Sequence, residues 1–78
     1  MKYFKATITY EIISPEDNAP QFNEVLYCCD PYHFPMTEQL RDLFYSLDGK
    51  EKANKYLSAT WQAVREEEIP AGAGIHLL

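Results

Sequence analysis

The chain has 78 residues, 46% of them hydrophobic, with one Trp, six Tyr, four Phe and a formal net charge of −5. This length makes one domain with a small core, and the composition excludes a disordered chain. The negative charge disfavours nucleic-acid backbones and anionic membranes as partners, and no apolar run reaches the length of a membrane span.

Residues 3–13 alternate cleanly. Phe4, Ala6, Ile8, Tyr10 and Ile12 face one way; Tyr3, Lys5, Thr7, Thr9 and Glu11 face the other. Period two with β-branched and aromatic residues predicts a half-buried strand. Residues 14–20, with two prolines and three strong turn formers, predict a loop. Residues 21–29 predict a second strand, antiparallel to the first. Its facing stays open: either Phe22, Leu26 and Cys28 point inward, or Val25, Tyr27 and Cys29 do.

Asp30-Pro31-Tyr32-His33-Phe34-Pro35 brackets an aromatic triplet with prolines, which predicts a rigid loop. Thr37 has the form of a helix N-cap, with Glu38 favoured in the first turn. Leu40, Leu43, Phe44 and Leu47 then fall on one face of a helix that Asp48-Gly49 ends. Asp48 and Glu51 have capping-box spacing, so a second helix is expected from Lys50 to about Glu67. Its apolar stripe would be Ala53, Leu57, Thr60, Trp61 and Val64. Pro70 and Ala71-Gly72-Ala73-Gly74 stop it, and residues 75–78 can add a short C-terminal edge strand. The expected fold is a single α+β domain over residues 1–78: a small antiparallel sheet packed against two helices, β-β-α-α. Its core would hold Phe4, Ile8, Tyr10, Ile12, Leu40, Leu43, Phe44, Leu47, Leu57, Trp61 and Val64.

No catalytic or cofactor signature is present. Cys28 and Cys29 are adjacent, so in a strand they point to opposite faces and cannot share a metal. With only His33 and His76 to join them, they do not make a zinc pattern or a disulfide framework. A Cys–His nucleophile would need a cation or a helix N-terminus beside the thiol. The expectation is a non-enzymatic cytoplasmic protein with no cofactor and no metal; the N-terminus does not read as a secretory signal.

The charge distribution is the sharpest feature. Between Lys5 and Arg41 there is no Lys or Arg, while Glu11, Glu16, Asp17, Glu24, Asp30 and Glu38 lie in that stretch. A one-signed field selects partners of the opposite sign. Glu11, Glu16, Asp17, Glu24 and Asp30 are therefore candidate contacts to a basic, nucleic-acid-handling protein, with Tyr32 and Phe34 as apolar anchors. The competing reading is a regulatory or structural module, antitoxin-like or homodimeric through an exposed strand edge. The state, monomer or homodimer, stays open.

The helix segment Thr37-Glu38-Gln39-Leu40-Arg41-Asp42-Leu43-Phe44-Tyr45-Ser46-Leu47 resembles the first helix of a small phage-encoded anti-CRISPR protein of the type I class. The likeness covers about eleven residues; the strand region, the Cys pair and the Pro-rich loops depart from it. It implies a phage or mobile-element inhibitor acting as a DNA mimic, with a subunit of a type I CRISPR surveillance complex as target. No binding residue carries over from it.

Overall fold

The computed structural model describes residues 1–12, 20–48 and 54–78. Their order is β1 (Lys2–Ile12), β2 (Gln21–Asp30), α1 (Thr37–Asp48), β3 (Asn54–Val64), a single 3-10 turn at Glu66–Glu68, and β4 (Ile75–Leu77). The strands make one sheet in the order β3-β1-β2-β4. β1 pairs antiparallel with β2 and β3, and β4 lies parallel to the end of β2.

The alternation of β1 decides how the sheet is covered. Phe4, Ala6 and Ile8 are fully buried on the side where Leu40 and Phe44 of α1 pack. The register then settles the facing of β2. Cys28 stands opposite Phe4 and Leu26 opposite Ala6, so both join this core. Val25, Tyr27 and Cys29 consequently share the other face with Tyr3, Lys5 and Thr7. The start of α1 differs in detail from its expected cap. The carbonyl of Met36 accepts from the Leu40 amide at 3.4 Å, and the Met36 amide donates to Gln39 Oε1 at 2.9 Å. Met36, rather than Thr37, therefore occupies the cap position, with Gln39 reaching back as in one half of a capping box.

The second helix is corrected by the structure. Residues 54–64 form a strand, so one helix, not two, packs on a mixed rather than purely antiparallel sheet. The sequence supports both periods here. Leu57, Thr60, Trp61 and Val64 fall at helical spacing, but Ala59, Trp61 and Ala63 also alternate with Ser58, Thr60 and Gln62. Tyr56, Thr60, Trp61 and Val64 are aromatic or β-branched and suit a pleated backbone. Pairing breaks the tie. The second edge of β1 needs partners for its amides and carbonyls, and β3 supplies them in register from Tyr3↔Val64 to Ile12↔Asn54. One extra residue, Leu57, makes a bulge where the register shifts between Thr9 and Tyr10.

The core is accordingly smaller than expected. Its centre is Phe4, Ala6, Ile8, Leu26, Cys28, Leu40 and Phe44, with Tyr10, Leu43, Tyr56 and Ala59 at its margin. Trp61 is 42% exposed, Ile12 and Leu47 are exposed, and Leu57 and Val64 are half-buried. The expected loop at residues 14–20 lies outside the described residues except for Pro20, and so does Glu51 of the expected capping box. At the C-terminal end, Ala73 N–H bonds to Pro70 C=O at 3.1 Å, and Gly72 takes φ 87°. That left-handed position is open to glycine without strain and turns the chain into β4.

Candidate interaction surface

The face of the sheet opposite α1 meets the Glu66–Glu68 turn at the Tyr3 end, where the Glu66 carboxylate reaches the Tyr3 phenol. The paired registers arrange its side chains in rows across the strands. Val64, Tyr3, Cys29 and Leu77 form the first row. Gln62, Lys5, Tyr27 and Ile75 form the second, and Thr60, Thr7 and Val25 the third. Ser58, Thr9 and Asn23 follow, and Lys55, Glu11 and Gln21 close the face. Polarity therefore grades along the strands, from an apolar end to a charged one.

The apolar end is open to water. Val25 is 49% exposed, Ile75 44% and Leu77 68%. They adjoin Tyr27 and Tyr3, which are half-buried, and Cys29, which is buried between its row neighbours. Burial and the nearby Glu66 carboxylate push the Tyr3 phenol above its ordinary pKa, so it stays a neutral hydroxyl. The polar end is tied together by its own contacts. Thr9 Oγ1 donates to Asn23 Oδ1 at 2.9 Å, and Lys55 Nζ lies 4.0 Å from Glu11 Oε1.

The acids singled out from the sequence do not gather. Glu11 sits at the charged end of this face beside Lys55. Glu24 is exposed, but it stands opposite Ile8 and so projects from the other face. Asp30 pairs with Lys2 at the far end of β1 from Glu11, on the order of 30 Å away at the rise of a strand. Its side chain is buried and engaged: Oδ1 accepts the amides of Tyr32 at 2.8 Å and His33 at 3.0 Å. Those two bonds hold its carboxyl below the usual range, against the upward push of burial. Asp30 thus builds the loop after β2. Tyr32 is exposed in that loop, whereas Phe34 is half-buried and stacked on Trp61. Glu16 and Asp17 lie outside the described residues.

Cys28 offers no activated nucleophile. Burial, and after it the neighbouring Cys29, push the Cys28 thiol up to about 11. His76 stands beside Cys28 in the β2–β4 register, but the thiol stays protonated at neutral pH. His33 Nδ1 is 2.9 Å from the Phe34 carbonyl, and its Nε2 is 3.9 Å from Asp30 Oδ2. Among the described residues no three His, Cys, Asp or Glu side chains are grouped to hold a metal ion. Among the same residues no helix is long and apolar enough to cross a membrane.

No family model, curated protein or solved structure matches this chain. The surface must be read from its own chemistry. Sequence reasoning missed its apolar end because that end needs β4 beside β2. Ile75 and Leu77 carried the signal, two aliphatics at spacing two, but nothing local says which strand they join.

Proposed function

We propose that this chain is a small non-catalytic interaction module that docks a partner protein on the face of its sheet opposite α1. The observation that supports it is the exposed cluster of Val25, Ile75 and Leu77 on one side of the sheet, flanked by Tyr3 and Tyr27. Aliphatic and aromatic side chains rimmed by Thr, Asn and Lys make the anatomy of a docking patch: apolar centre, polar border. The strands hold these side chains in fixed directions, so little entropy is lost on binding.

The narrower reading is an acidic inhibitor that occupies the basic groove of a nucleic-acid-binding protein, the class implied by the helix resemblance being a type I CRISPR effector subunit. It draws on the net charge of −5 and the Lys- and Arg-free stretch from Ala6 to Leu40. It does not draw on a shared acidic face, since Glu11, Glu24 and Asp30 are apart.

One experiment addresses both. The tagged chain is compared with Val25→Asp/Leu77→Asp and with Glu24→Lys and Glu16→Lys/Asp17→Lys in capture from a host lysate at low and high salt. Loss of the same captured protein with Val25→Asp/Leu77→Asp, with the fold intact by circular dichroism, supports docking on the face. Capture that survives this change but fails on charge reversal and at high salt rejects the face and favours acidic mimicry.

A further inference from the structure

β3 is an edge strand with few of the features that usually prevent an edge from pairing. It is outermost in the sheet and spans Asn54–Val64. From Tyr56 to Val64 it contains no Lys, Arg, Asp, Glu or Pro. Exposed edges are ordinarily kept short, charged, bulged or interrupted by proline. The opposite edge fits that rule: β4 has three residues, and the part of β2 beyond it carries Glu24. On β3 such devices stop short of Ser58: Lys55 carries a charge, the Tyr56 amide donates to the Tyr45 hydroxyl of α1 at 3.3 Å, and Leu57 makes the bulge, which leaves Ser58–Val64 regular.

We propose that two copies of this chain join edge to edge through β3, antiparallel about a twofold axis at Trp61, into one continuous eight-stranded sheet. A twofold axis normal to the sheet keeps both helices on one side and pairs side chains of the same face. Side-chain size and charge point to this register. With the axis at Trp61, Ala59 meets Ala63, and two small residues flank each indole. The Trp61 side chain is 42% exposed on its own chain, and pairing covers it. At each end, Lys55 of one copy comes to the Glu66–Glu68 turn of the other, so opposite charges meet twice. With the bulge at Leu57 skipped, moving the axis one residue, to Thr60, would set Lys55 against Val64, next to Arg65 and away from the acidic turn. The partner is thus a second copy of this chain, recognised by main-chain hydrogen bonds and placed by charge.

This inference does not rest on the docking face, which is a different surface, and the test separates them. Mass in solution is measured by sedimentation across the soluble concentration range. The wild type is compared with Thr60→Lys/Gln62→Lys, Lys55→Glu, Lys55→Glu/Glu67→Lys and Val25→Asp/Leu77→Asp. Thr60 and Gln62 are exposed, so lysines there leave the monomer folded while placing four charges at the seam. The expected result is a wild-type dimer and a monomeric Thr60→Lys/Gln62→Lys. Lys55→Glu should weaken the dimer by about tenfold, and Glu67→Lys should restore it. Trp61 fluorescence should shift to the blue as the wild type dimerises. A wild type that stays monomeric throughout overturns the proposal. So does a dimer that survives Thr60→Lys/Gln62→Lys and is lost on Val25→Asp/Leu77→Asp, since copies would then meet through the open face.

Discussion

Phe34 lies against Trp61 with ring centroids 4.9 Å apart and planes 16° from parallel. This stack joins the Pro-rich loop after β2 to the outermost strand, and Lys2 Nζ sits 5.0 Å from the Phe34 centroid. Trp61 also meets Phe4 edge-on at 6.2 Å, so the loop reaches the core through one indole. The prediction is a coupling of about 0.5–1.5 kcal/mol between Phe34→Ala and Trp61→Ala in a double-mutant cycle. Urea denaturation of the four proteins at one fixed concentration measures it. Additive effects would show that the loop and β3 are stabilised independently.

Helix phase gives a second prediction. Phe44 is buried against Tyr10 and Tyr56, with ring centroids at 5.1 and 6.1 Å, whereas Leu47, one turn on, is exposed. Phe44→Ala should cost about 3–5 kcal/mol, a large part of the stability of a small domain. Leu47→Ala should stay within about 0.5 kcal/mol of wild type. Comparable losses at both positions would mean that the helix is rotated from the described packing.

The cysteines should differ from ordinary exposed thiols. With its pKa pushed up to about 11 and its side chain in the core, Cys28 should resist iodoacetamide at pH 8 until the protein unfolds. Mass spectrometry of the labelled chain, native and in denaturant, reads this directly. Cys28→Ser/Cys29→Ser should lose some stability through a buried hydroxyl but keep the partner captured by wild type. Loss of that partner from a folded double variant would give the thiols a functional role.

Asp30 sets a fourth prediction, on pH. Its carboxyl is held below its ordinary value by the amides of Tyr32 and His33. A depressed folded pKa contributes stability that is present above the unfolded value, about 3.9, and is lost as pH falls through the folded value. Thermal unfolding from pH 7 downward should therefore show an acid limb that is shallower in Asp30→Asn. That variant keeps an oxygen to accept the two amides while removing the titration. An unchanged limb would place the acid sensitivity in other carboxylates.

Much of this arrangement was legible locally. The alternation of Phe4, Ala6 and Ile8 against Lys5, Thr7 and Thr9 defined β1, because period two leaves one face to bury and one to water. Leu40, Leu43 and Phe44 marked the helix by the same argument at period 3.6. What only the tertiary structure decided was the fate of residues 54–64 and the facing of β2. Ser58–Val64 satisfies both periods, and the unpaired edge of β1 selected the strand. Val25-Leu26-Tyr27-Cys28 is apolar on both faces, and the register with Phe4 and Ala6 selected Leu26 and Cys28 for the core. The acids show the same limit from the functional side. Glu11, Glu24 and Asp30 share a one-signed stretch of sequence, but strand alternation sends the first two to opposite faces, and the length of β1 carries Asp30 away from Glu11. Proximity in sequence records charge density along the chain; the pleat and the pairing decide whether those charges share a surface.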